Sequence, residues 1–139
     1  MKLRSIKLGD YEKLTEFWEK NYFVNELDEF DRFKLFLNKN PDLSILGEDN
    51  GKIVGTILGS FDGRRGYIQK LVVAKNFRKK GLGKQLIEAI VKKLQTLGAL
   101  YIPVSCETTN VNFFQKSGFK KTDQVALSIS RSHYPDKKF

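Results

Sequence analysis

Cysteine is nearly absent from this sequence. Cys106 stands alone in 139 residues, so no internal disulfide can form, and a reducing compartment suits the chain. Histidine is as scarce: His133 is the only one. One cysteine and one histidine cannot build a zinc cluster, so no metal site is expected. No apolar run approaches the roughly 18 residues that a membrane span needs, so no membrane partner is expected. The segment Met1-Lys2-Leu3-Arg4-Ser5-Ile6-Lys7 has no continuous apolar core, so no signal peptide is expected and the cytoplasm is the expected location. Repeats, low-complexity tracts and linkers are lacking too. The expectation is a single domain over residues 1–139, long enough to bury a core without staples.

Positive charge is what the chain has in excess, with a net charge of +9. Such a surplus suits nucleic acid, an acidic membrane surface or a phosphate-rich ligand. Distribution decides among them. Lys75, Arg78, Lys79, Lys80 and Lys84 follow one another with no acidic residue between them, and they surround the glycines at 81 and 83. A nucleic-acid surface would need a long basic stripe interleaved with aromatics, and none is visible, so no nucleic-acid partner is expected. The remaining lysines read as a solubilising surface.

The hydrophobic spacing predicts a strand over residues 3–8. Asp10 then caps a helix whose Tyr11, Leu14, Phe17 and Trp18 share one face. A second helix is predicted over 28–38, with Phe30, Phe33 and Leu37 on one side, broken at Asn40-Pro41. Strands follow at 43–48 and 52–61, joined by Asp49-Asn50-Gly51, a strong hairpin signal. After a turn at 62–66, a strand runs over 67–74. The clearest helix spans 81–97, with Leu82, Leu86, Ile87, Ile90, Val91 and Leu94 as its stripe and Gly98 just past its end. A strand at 101–106, a short helix from Thr109 or Asn110 to Lys116 closed by Gly118, and a last strand at 119–130 complete the order β-α-α-β-β-β-α-β-α-β. In that last strand Val125, Leu127 and Ile129 alternate with smaller residues. Early hairpins followed by strand–helix–strand crossovers imply an α/β protein with a mixed sheet covered by helices.

The chemistry is concentrated where the 67–74 strand runs through a loop into the 81–97 helix. Gly81 and Gly83 let the backbone approach a ligand closely. The helix N-terminus offers unpaired N–H groups and a partial positive charge, suited to a diphosphate, and Lys79, Lys80 and Lys84 add charge around it. The chain has no G-x-x-x-x-G-K-[ST], which disfavours a P-loop. The place of a third glycine in a dinucleotide fingerprint is taken by Leu86.

At these residues the sequence resembles the GCN5-related N-acetyltransferase (GNAT) family. Arg78-Lys79-Lys80-Gly81-Leu82-Gly83 fits its [R/Q]-x-x-G-x-[G/A] motif, with Leu71 and Val73 at the apolar positions of the preceding strand. The segment from Asn110 through Phe113, Phe114 and Lys116 to Gly118-Phe119 resembles its second signature, a short helix ending in Gly-Phe. The order of elements matches over nearly the whole chain, and the hairpin with its Asp62-Gly63 turn is similar to a bacterial and archaeal subgroup of small acetyltransferases.

The resemblance implies the GNAT fold and an enzyme that passes an acetyl group from acetyl-coenzyme A to a primary amine of a small molecule or a protein, by direct attack in a ternary complex. A homodimer is compatible with it. It implies that backbone groups at Leu71, Val72 and Val73 pair with the pantetheine arm as another strand would. It places the diphosphate on the N–H groups of Arg78, Lys79, Lys80, Gly81, Leu82, Gly83 and Lys84. Asn110, Phe113, Phe114 and Lys116 would flank the coenzyme.

The proton carriers do not transfer from the family. The usual tyrosine position is Phe114, and the strand that often carries a glutamate has Gln69 and Lys70. Glu107, just beyond the 101–106 strand, is the best remaining base, able to take the amine proton through water. Cys106 as nucleophile, and His133 or Tyr134 folding back as an acid, are weaker candidates, a lone cysteine being more often a small buried hydrophobe. Glu26, Asp28, Glu29 and Asp31 lie in the region resembling the acceptor lid, where they would attract a cationic amine or simply favour a helix N-terminus. The missing acid–base residues also motivate a different class of protein, a degenerate coenzyme A-binding module without turnover.

Overall fold

The computed structural model describes residues 1–131; His133 and Tyr134 lie outside the described residues. Strands β1 (Lys2–Ser5), β2 (Ser44–Asp49), β3 (Lys52–Phe61) and β4 (Gly66–Val73) form one sheet in chain order, every neighbour antiparallel. Helices α1 (Tyr11–Asn21) and α2 (Phe30–Lys39) separate β1 from β2, and α3 (Leu82–Thr96) and α4 (Val111–Lys116) follow β4. This is the expected α/β arrangement. The β2–β3 hairpin turns on Asn50 and Gly51, at φ 51° and 76°, as a tight turn between right-twisted strands requires.

Two helical layers sandwich the sheet. Ile45, Val54, Ile57 and Ile68 meet the α3 stripe of Leu82, Leu86, Ile87, Ile90 and Leu94. Leu46, Leu58 and Val72 face the other way, toward Leu14, Phe17, Trp18 and Phe33 of α1 and α2. Adjacent residues such as Ile45 and Leu46 therefore serve opposite cores, the two-residue period of a strand buried on both faces. Helix α3 lies close on the sheet: a Cβ at Gly59 would sit 2.6 Å from Ile90 Cδ1 and from the Leu43 carbonyl oxygen.

Three expectations need correction. Asp10 does not cap α1. Its carboxylate instead accepts from the Arg4 guanidinium at 2.8 and 2.9 Å and from the Lys7 N–H at 2.8 Å, tying β1 to the start of the helix. Residues 101–106 form no regular strand: Tyr101 bridges Arg65 in parallel fashion and no further bridge follows, with Pro103 unable to donate to a ladder. Residues 119–130 form no strand either. Val125, Leu127 and Ile129 are 80%, 91% and 99% exposed: alternation assigns faces but does not supply a partner, and residues 119–130 pair with no described strand.

Candidate active site

The outer edge of β4 is open. β4 pairs with β3 on one side, and on the other its backbone bonds among the described residues lie at its beginning, where the Gly66 N–H donates to the Tyr101 carbonyl at 3.0 Å and the Leu100 N–H to the Arg64 carbonyl at 3.0 Å. Beyond that point residues 102–106 pair with no strand, and Ile102 and Val104 pack against the α3 core. Leu71 and Val73 pack against the α3 core, whereas the Val72 side chain is buried on the opposite face. Only the backbone of Val72 can therefore meet a ligand.

At the end of β4 the chain turns through a short 3₁₀ segment, Lys75–Phe77, into the glycine loop. The Arg78 Nε donates to the Val73 carbonyl at 2.9 Å, which folds the arginine back onto the strand end. Lys79 at φ 63° and Gly81 at φ 86° give the loop two left-handed residues, and Gly81 is the N-cap of α3. Lys80 leans over the Phe77 ring at 5.6 Å. Arg78, Lys79, Lys80 and Lys84 are all exposed, so the positive charge faces solvent around the helix end. The first-turn N–H groups of Leu82, Gly83 and Lys84 have no helical partner, as at any helix start. The first helical bond runs from the Gln85 N–H to the Gly81 carbonyl at 3.0 Å.

The structure assigns different reasons to these residues than their motif does. Leu82 is a core residue, 3% exposed, whose N–H alone remains available. Gly83 is small because of α4: a Cβ there would lie 3.0 Å from Phe113 Cζ and 3.7 Å from Val73 Cγ2. Phe113 thus brings the short helix against the start of α3, and Asn110 and Lys116, both exposed, come with it. Phe114 is buried, edge-on to Phe113 and Phe119. Its side chain packs in the core with the α3 stripe.

Glu107 begins the 3₁₀ turn Thr108–Asn110, its carbonyl accepting from the Asn110 N–H at 2.8 Å. It is exposed, and its carboxylate has no partner among the described residues. Cys106 beside it is exposed too, not the buried hydrophobe that a lone cysteine usually is.

The sequence reading missed a feature of β4 itself. Thr56 pairs with Val72 but Leu58 pairs with Gln69, so three steps along β4 match two along β3. The extra residue is a bulge at Lys70, whose φ is 51°. The Lys70 carbonyl accepts from the Thr56 hydroxyl at 3.0 Å, and that hydroxyl accepts from Trp18 Nε1 at 3.0 Å. The Lys70 ammonium lies 2.9 Å from the Asp28 carboxylate and 2.7 Å from the Phe23 carbonyl. The rings of Phe23, Trp18 and Tyr22 surround it at 4.7, 4.8 and 5.3 Å. Burial pushes the ammonium below its ordinary value, and Asp28 opposes that shift. The Asp28 carboxylate is thus already engaged.

Among the described residues no helix is long and apolar enough to cross a membrane. None of their histidine, cysteine, aspartate and glutamate side chains form a group of three or more placed to hold a metal ion.

Known proteins bear on this geometry. The model of the acetyltransferase (GNAT) family matches residues 11–119. An acetyltransferase of Pectobacterium atrosepticum is 29% identical over 131 residues, covering 91% of this chain and 93% of that protein. An acetyltransferase of Photorhabdus laumondii is 28% identical over 144 residues and covers 100% of both. Among solved structures, glucosamine-6-phosphate N-acetyltransferase from Arabidopsis thaliana superposes with a TM-score of 0.74 at 26% identity, covering 94% of this chain and 97% of the other. An aminoglycoside 6′-N-acetyltransferase from Acinetobacter haemolyticus shares the fold, with a TM-score of 0.73 at 14% identity over 94% of this chain and 99% of the other.

Proposed function

The chain belongs to the acetyltransferase (GNAT) family, and from that premise we propose that it moves the acetyl group of acetyl-coenzyme A directly to a primary amine in a ternary complex, within the cytoplasm and as one domain. One observation carries this reading: an open strand edge on β4 leads into a helix start with unpaired N–H groups ringed by Arg78, Lys79, Lys80 and Lys84. The edge suits the amide-bearing pantetheine arm, which can pair with Leu71 and Val73 as another strand would. The helix start suits the diphosphate. The thioester supplies an activated acetyl group.

The chain's own residues then have definable tasks. The unpaired edge of β4, next to residues 101–106, receives the reacting carbon. A backbone N–H of the β4 edge can stabilise the oxyanion that forms as the amine nitrogen attacks. The carbon–sulfur bond breaks, and the thiolate leaves to take up a proton. Glu107, exposed just after residues 101–106, is the carboxylate we assign to take the amine proton through water.

Glu107→Gln should lower turnover by about 100-fold at neutral pH, with coenzyme affinity unchanged. Unchanged turnover would hand the proton to solvent or to the acceptor. The broader reading is tested by following coenzyme thiol release with acetyl-coenzyme A and a panel of alkylamines, polyamines, amino sugars and a lysine-containing peptide. Binding of the coenzyme with no release on any amine would favour the coenzyme-binding module.

A further inference from the structure

We propose that Lys70 is a positioning residue for the acceptor: its ammonium clamps the connection between α1 and α2 to the bulge of β4, and so sets the acceptor-side wall beside the coenzyme edge. The proposal rests on the reading of the β4 edge given above.

The connection, residues 22–29, has little regular structure of its own. A 3₁₀ turn, Glu26–Asp28, is capped by Asn25, whose side chain accepts from the Leu27 N–H at 2.9 Å. The Asp28 carboxylate accepts from the Asn25 N–H at 3.1 Å, and the Tyr11 hydroxyl donates to the Asp28 carbonyl at 2.7 Å. These bonds shape the turn and join it to α1. Lys70 ties it to the sheet through the Asp28 carboxylate and the Phe23 carbonyl at once, and Val24 packs beside it in the α1–α2 core. The side chains of Lys70 and Asp28 are 10% and 6% exposed, so the pair is shielded from water and salt. The rings of Trp18, Tyr22 and Phe23 complete an ammonium cage.

The bulge explains why a lysine can do this from β4. Ile68 packs in the α3 core and Val72 in the α1–α2 core, although four residues apart they would share a face of a regular strand. The extra residue at Lys70 flips the strand and aims this side chain into the second layer. The next residue is Leu71, on the open edge. A clamp one residue from that edge fixes the wall against which an amine must lie to reach the thioester. Removing either charge leaves the other buried and unpaired, which is far costlier than losing a surface pair.

The test compares Lys70→Met and Asp28→Asn with the parent protein, the second variant keeping an oxygen for the Asn25 N–H. Amide exchange across residues 22–29 should accelerate by about tenfold or more in both, while α3 amides stay protected. Coenzyme A affinity should stay within about twofold, and KM for the best amine of the panel should rise about tenfold or more with a smaller change in kcat. Unchanged exchange at 22–29, or equal losses in coenzyme affinity and amine KM, would overturn the proposal. If the parent acetylates no amine of the panel, the functional reading fails, while the exchange and coenzyme arms still judge the clamp.

Discussion

A Gly83→Val protein should remain folded yet bind coenzyme A about 100-fold more weakly than the parent. Space is the cause. The Cβ would lie 3.0 Å from Phe113 Cζ and 3.4 Å from Cε1, before the two methyl groups are counted. Phe113 is only half-buried and α4 is a single short helix, so the ring can yield at a cost of roughly 1–3 kcal/mol in stability. The displaced helix no longer abuts the start of α3, and the new methyl groups crowd the N–H groups there. Losing two charge-assisted hydrogen bonds to a diphosphate, at roughly 1.5 kcal/mol or more each, corresponds to about 100-fold in affinity. Gly81→Ala makes a useful contrast, since nothing lies within 4 Å of a Cβ there and the strain comes only from φ 86°. Normal coenzyme affinity in a folded Gly83→Val protein would place the diphosphate elsewhere.

Trp18→Ala should cost about 3–5 kcal/mol and lower the melting temperature by about 12–20 °C. Trp18 is 0% exposed and lies edge-on to Phe33 with ring centroids 6.0 Å apart. Its truncation opens a cavity in the α1–α2 core and strips one wall from the Lys70 cage. Thr56 loses the indole donor but still donates to the Lys70 carbonyl. Trp18→Phe, which keeps most of the volume, should cost only about 1–2 kcal/mol. Calorimetric melting of the two variants measures both. A drop of under about 4 °C for Trp18→Ala would mean that this face of the sheet is not a packed core.

The sequence was most readable where local pattern and burial agree. The stripe of α3 and the Asn50-Gly51 turn each follow from a local pattern that the residues display. The glycine loop was legible for the same reason: a strand, a basic glycine pair and an amphipathic helix sit next to one another in the chain. Three things were hidden. The bulge at Lys70 arises from the register between β3 and β4, and neither strand records it alone. The Lys70–Asp28 pair joins residues far apart in sequence, and a lysine inside an apolar strand, between Ile68 and Val72, was the one visible hint. The reason for Gly83 lies in Phe113, thirty positions away, whereas the motif assigned the small residue wholly to the ligand. The alternation of Val125, Leu127 and Ile129 shows the opposite error. It displays a strand's pattern, but no edge among the described residues pairs with it.

The most direct test of the coenzyme site is a calorimetric titration of the intact protein with coenzyme A and, separately, with pantetheine, which keeps the amide arm but lacks the diphosphate. Coenzyme A should bind one to one, and pantetheine should bind at least about 100-fold more weakly, because it can pair with the β4 edge but leaves the N–H groups of Leu82, Gly83 and Lys84 and the cations around them unused. Equal affinity for the two, or no binding of coenzyme A at millimolar concentration, would contradict the placement of the coenzyme on β4 and the start of α3.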